Sequence, residues 1–163
     1  MSGVVRRLDC SSSPSDEEGL YWIDPIGLLD CGKDRILELA SRFKIMLYGS
    51  MTVPYEQLMD AFRFIAIPFF GIGVLEGLGI PSEKLIVITT PAIVDDAGLR
   101  EMGFTLPADS ITMKQSASAM KMGAAGVVIR SALASRIRRT FGKRLLIMAR
   151  GRGEGEVDYW IEP

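Results

Sequence analysis

Short apolar runs of strand length alternate with segments of helical periodicity along this chain, and only a few residues join one to the next. The run at 85–90 is the clearest strand, because Leu85, Ile86, Val87 and Ile88 are followed by Thr89 and Thr90 and stopped by Pro91. Similar runs begin at Leu20, Lys44, Phe64, Gly126 and Arg144, and a last one covers 157–161. Between them, 34–43 sets Ile36, Leu37, Leu39, Ala40 and Phe43 at helical spacing and 54–62 opens on Pro54. The segments 91–102 and 112–122 are each closed by a glycine, Gly103 and Gly123. Strand, short join and helix in repetition is the pattern of an α/β protein with a largely parallel sheet. It predicts a three-layer, open, Rossmann-like sheet with helices on both faces and an antiparallel strand at its C-terminal edge.

A chain of 163 residues fits one domain of ordinary size. Residues 1–19 are expected to be a flexible tail, since Ser11, Ser12, Ser13, Pro14 and Ser15 lead into Asp16, Glu17 and Glu18 and offer nothing to bury. The domain is then 20–163. The longest uncharged apolar run, 64–75, contains Pro68 and falls well short of the roughly 20 residues of a membrane span. Arg6 and Arg7 are followed by Asp9 and serines rather than by an apolar block, so no signal peptide and a cytoplasmic location are expected. In that compartment Cys10 and Cys31 are expected as reduced thiols. Histidine is absent, which removes Ser-His and Cys-His nucleophiles and every His-containing zinc pattern. Two distant cysteines do not make a thiolate metal centre either. No metal is expected, and no cofactor is assigned.

Charge is unevenly distributed. Residues 8–109 carry sixteen acidic and seven basic residues, whereas 110–153 carry ten basic residues and no acid, so a near-neutral total of −1 conceals opposed halves. A one-signed surface concentrates counter-charged ligands or docks on an oppositely charged one. The partners this implies are an anionic small molecule, a second copy of the chain meeting through opposed acidic and basic surfaces, or nucleic acid along 130–152.

Residues 124–131 admit two readings. In the favoured one, Gly126 starts a strand, Ser131 caps a helix reaching Phe141, and Arg144 starts the next strand. In the other, 127–141 is one recognition helix and the strands at 144–148 and 157–161 form a wing, which divides the chain into an α/β domain at 20–106 and a winged helix at 107–163. Both draw on resemblances. Met122, Gly123, Ala124, Ala125, Gly126, Val127, Val128, Ile129, Arg130, Ser131, Ala132 and Leu133 resemble the phosphate-binding strand and loop late in many (β/α)8 barrels, with arginine at 130 where that pattern usually has glycine. The length falls below the roughly 200 residues of an ordinary barrel, which favours the open sheet. The same residues, with Ala119 and Leu133, also resemble the helix-turn-helix of winged-helix regulators, and that resemblance implies duplex contacts from Arg130, Arg136, Arg138 and Arg139, with Arg150 and Arg152 at the wing tip.

In an α/β sheet ligands collect where strands end. The residues there are Gly49 and Ser50, Gly71 and Gly73, Thr89 and Thr90, and Arg130 and Ser131, which are small, hydroxyl-bearing or cationic and suit an anion at exposed backbone N–H groups. Asp95 and Asp96 form an adjacent acidic pair near a strand end, suited to holding Mg²⁺ against a phosphate or to dividing acid and base roles. The expected function is the binding of a phosphate- or carboxylate-bearing small molecule, such as a nucleotide, at these strand ends. The alternative is a ligand-responsive DNA-binding regulator.

Overall fold

The computed structural model describes residues 2–11, 14–16, 18–49, 58–153 and 155–163. Eight strands run in one direction and close on themselves: β1 (Gly3–Arg7), β2 (Leu20–Ile23), β3 (Lys44–Tyr48), β4 (Phe64–Pro68), β5 (Leu85–Ile88), β6 (Gly126–Val128), β7 (Leu146–Arg150) and β8 (Tyr159–Ile161). Among the described residues six α-helices lie between them: α1 (Pro25–Cys31), α2 (Lys33–Ala40), α3 (Ile72–Gly77), α4 (Asp96–Glu101), α5 (Ala108–Lys121) and α6 (Ala134–Phe141). The expected helix at 54–62 falls largely outside the described residues.

The architecture corrects the open Rossmann-like sheet. Closure depends on β1, which pairs in parallel with β2 (Val5 opposite Leu20) and with β8 (Val5 opposite Ile161). Gly3–Arg7 is therefore part of the barrel wall and not of a tail. β8 is also parallel to β7, not antiparallel, with Met148 opposite Tyr159. A parallel connection usually contains a helix, whereas the described residues of 151–158 form none. Eight extended residues reach about 26 Å, and a five-residue strand is about 17 Å long, so the segment can return to the other end of the barrel unaided. Among the described residues the connections after β1 and β7 contain no helix, which shortens the chain needed to close the barrel.

Alternation along each strand divides the apolar residues into two layers. Val5, Leu20, Met46, Phe64, Ala66, Ile86, Ile88, Val128, Met148 and Ile161 fill the barrel. Ile23, Ile45, Leu47, Ile65, Ile67, Val87, Val127 and Ile147 point outward into the shell of helices, meeting Leu28, Ile36, Leu39 and Ile137. Each fully buried Leu, Ile or Val contributes about 1.5–3 kcal/mol, and both layers are needed because these strands are covered on both faces.

The helix-turn-helix reading fails at the same residues. Val127 and Val128 lie in β6, a 3-10 turn spans Ser131–Leu133, and α6 begins only at Ala134. The would-be wing strands are two staves of the barrel. The cations assigned to a duplex are largely engaged within the chain: Arg130 pairs with Asp96 at 2.8 Å, Arg136 with Asp109 at 3.6 Å, Arg138 with Asp158 at 2.6 Å, and Arg152 with Glu162. Four of the ten cations of the acid-free run thus find acids elsewhere in the chain.

Cys10 and Cys31 are joined as a disulfide, against the expectation of reduced thiols. The segment after β1 folds back over α1 and brings their Cα atoms to 5.7 Å, within the usual range for a bridge. Among the described residues no helix is long and apolar enough to cross a membrane.

Candidate functional site

The strand ends of a parallel barrel make two unlike faces, and the C-terminal one collects ligands because loops there surround the open end of the core. In this chain the inward positions at that end are Arg7 of β1, Trp22 of β2, Tyr48 of β3 and Arg150 of β7, each two residues beyond a side chain that fills the barrel. They form a connected set. The Arg7 guanidinium lies 5.5 Å from the Trp22 ring centroid, and Trp22 meets Tyr48 edge-on at 5.9 Å. The indole of Trp22 is fixed by donating from Nε1 to the Glu162 carbonyl at 2.6 Å.

Tyr48 has an unusual setting. Its hydroxyl oxygen is buried and has no hydrogen-bond partner among the described residues. A buried hydroxyl left unpaired costs about 1–3 kcal/mol, which a ligand oxygen could recover. Burial pushes the phenol above its usual value of 10.0, and the charge of Arg150 pulls it partly back. The sign of that shift keeps the proton on the oxygen at neutral pH, so Tyr48 acts as a neutral donor.

The mouth arginines fall into two kinds. Arg130 is engaged through all three nitrogens, with Nε donating to Pro91 O, Nη2 to Val94 O and Nη1 to Asp96 at 2.8 Å, so that it pins the loop after β5. Arg152 faces Glu162. Arg7 and Arg150 are exposed and have no carboxylate partner among the described residues. A cleft of about 570 Å³ opens beside Arg7, bounded by Asp24 and the Cys10–Cys31 bridge. Asp24 is committed there as the N-cap of α1, accepting from Gly27 N at 2.7 Å.

The residues expected from sequence are placed as follows. Gly49 ends β3 with φ +83° and donates its N–H to Ala66 O, and Ser50 lies outside the described residues. Gly71 precedes α3, and Gly73 lies within it. Thr89 is buried and donates Oγ1 to Val128 O at 2.8 Å, while Thr90 is held by Gln115 of α5. Ser131 is exposed at the start of its 3-10 turn. Asp95 caps α4 through Gly98 N at 2.7 Å, and Asp96 holds Arg130, so the acidic pair has structural partners. No group of three metal-ligating side chains occurs among the described residues. The strand ends are thus gathered on one face, but the central residues Arg7, Trp22, Tyr48 and Arg150 were not among the expected ones. Counting forward in twos from the apolar core residues of β3 and β7 finds Tyr48 and Arg150; Arg7 required the unrecognised β1.

No protein-family model matches the sequence, and neither does any curated protein sequence. Solved structures do match. Orotidine 5'-phosphate decarboxylase from Lactobacillus acidophilus gives a TM-score of 0.77 at 17% identity, over 99% of this chain and 90% of that one. An uncharacterized conserved protein from Geobacillus kaustophilus gives 0.66 at 17% identity, over 87% and 78% of the two chains. Orotidine 5'-monophosphate decarboxylase from Methanocaldococcus jannaschii gives 0.64 at 13% identity, over 99% and 88%. At such identities the likeness shows the fold: a closed parallel barrel shared nearly end to end.

Proposed function

We propose that the protein binds a phosphate-bearing small molecule at the C-terminal mouth of its barrel, with Arg150 and Arg7 as the charged contacts and the Tyr48 hydroxyl as a neutral donor. The observation that carries this reading is that the Arg150 charge acts on a buried Tyr48 hydroxyl with no hydrogen-bond partner among the described residues, and that neither Arg150 nor Arg7, which lies over the neighbouring Trp22 ring, has a carboxylate partner there, whereas Arg130 and Arg152 each have one. Cations left unpaired around an unsatisfied donor are complementary to an oxyanion. Two of the structures that share the fold are decarboxylases of a phosphate ester, which agrees with this ligand class. Gly49, Gly71, Gly73, Thr90 and Ser131 stand around the rim, where they would shape access to the anion. The reading is one of binding and names no reaction.

A cytoplasmic location belongs to the same reading, because phosphorylated metabolites are intracellular. The Cys10–Cys31 bridge pulls the other way, since structural disulfides persist mainly in oxidising compartments.

Thermal-shift and calorimetric titrations with inorganic phosphate, ribose 5-phosphate and AMP test the proposal. At least one should stabilise the wild type, and Arg150→Ala should weaken its binding about tenfold or more, the size expected for losing a hydrogen-bonded charge. Arg139→Ala, on an exposed part of α6, should leave affinity unchanged. Absence of binding by all three compounds, or equal binding by Arg150→Ala, would sink the idea.

A further inference from the structure

The Cys10–Cys31 bridge lies beside the proposed phosphate site. Cys10 comes shortly after Arg7, the last residue of β1, and Cys31 is the last residue of α1, the helix that follows β2 and Trp22. The bridge therefore closes a circuit of chain whose ends at the mouth are Arg7 and Trp22, partners in the β1–β2 register and in cation–π contact at 5.5 Å. With the bridge open, the Arg7 end of β1 is left to its strand pairing and to the bond from Leu8 N–H to Trp22 O just beyond it.

The bridge also borders open space. Both cysteines are half-buried and line the cleft of about 570 Å³ that opens beside Arg7. Thiol–disulfide exchange needs such access, because a thiolate must attack one sulfur of the bridge directly. In a reducing compartment, where phosphorylated metabolites are found, disulfides are usually transient or redox-sensing rather than permanent staples. A bridge that opens and closes there reconciles the disulfide with a phosphate ligand.

We propose that the Cys10–Cys31 bridge is a redox switch on the phosphate site, an inference that rests on the binding proposed above. Closed, the bridge holds Arg7 at the mouth; opened by a dithiol, it lets the end of β1 fray, and binding weakens. A thiolate of the dithiol attacks one sulfur of the bridge, forming a mixed disulfide and displacing the other sulfur as a thiolate. The second thiolate of the dithiol then attacks the mixed disulfide, closes its own ring and releases the remaining cysteine. Two electrons and two protons thus pass from the dithiol, which ends as a disulfide, to Cys10 and Cys31, which end as thiols.

Calorimetric titration of inorganic phosphate, ribose 5-phosphate and AMP into the oxidised protein, and into protein reduced with dithiothreitol, tests the switch. A compound that the oxidised form binds should bind the reduced form at least about fivefold more weakly, the lower end of ordinary coupling between two sites. By reciprocity, the same compound at saturation should raise by the same factor the ratio of reduced to oxidised dithiothreitol that half-opens the bridge. The doubly substituted Cys10→Ser/Cys31→Ser protein should bind like the reduced wild type with or without dithiothreitol. On reduction the Leu8 amide should exchange faster, with an acceleration at least about fivefold greater than that of Val87 in β5 across the barrel, because the opening is local. Equal Kd values for the oxidised and reduced forms would overturn the proposal, and so would unfolding on reduction, which would make the bridge a staple of the whole fold. Binding of none of the three compounds by the oxidised protein would count against the phosphate site itself, whereas unchanged Leu8 exchange would overturn the switch whatever the ligand.

Discussion

Cys31→Ser is expected to lower the unfolding free energy by about 3 kcal/mol, from the chain entropy that a bridge across a loop of this size removes from the unfolded state. The two cysteines are 21 positions apart in sequence. The segment between β1 and β2, which the bridge ties to α1, is also held by Leu8 N–H to Trp22 O at 2.8 Å, Arg35 Nε to Cys10 O at 3.1 Å and the Tyr21 hydroxyl to Asp16 O at 2.9 Å. It leaves the barrel directly after Arg7, so loosening it also frees the upper end of β1. Urea unfolding of the oxidised wild type against Cys31→Ser should show the midpoint fall. A loss under about 1 kcal/mol would mean that the strand pairing of β1 holds this corner by itself.

A loss of similar size, about 3 kcal/mol, is expected for Gly126→Ala, the upper end of the usual range for overpacking a core. A Cβ at 126 would stand 2.5 Å from the Leu146 carbonyl oxygen, 2.8 Å from Leu146 Cβ and 3.1 Å from Ile86 Cδ1. Two of those three obstacles belong to Leu146 and are fixed by the β7 backbone, and the Leu146 N–H is itself bonded to Ala125 O at 2.9 Å. A side-chain rotation cannot relieve the contact, so the strands must part. Chemical unfolding with an unchanged slope and a lowered midpoint is the expected result. An effect below about 1 kcal/mol would show that the barrel wall yields more readily than its register implies.

What could be read in advance follows from where the physical information lies. β2 to β7 were legible because each is buried on both faces, so runs such as Leu85 to Ile88 are apolar without interruption. β1 was not, because no helix covers its outer face: Val4 is 37% exposed, Arg6 is exposed, and Val5 alone fills the core. Missing β1 turned a closed barrel into an open sheet, since the pairing that closes it joins residues about 155 positions apart and leaves no local trace. The short return at 151–158 suggested a hairpin for the same local reason. The resemblance of 122–133 to a barrel phosphate loop pointed to the right fold, but the length argument outweighed it. At the site, Thr90 and Arg130 were correctly placed at strand ends, yet their side chains serve the scaffold. Chemical type shows which residues could meet an anion, whereas only the packing shows which are already occupied.

The most direct measurement is a crystal structure of the protein soaked in inorganic phosphate. The account predicts tetrahedral density at the C-terminal mouth, within hydrogen-bonding distance of the Arg150 guanidinium, on its Arg7 side and above the Tyr48 hydroxyl. An empty mouth, with phosphate seated only on the exposed Lys143 and Arg144 at the opposite end of the barrel, would contradict it.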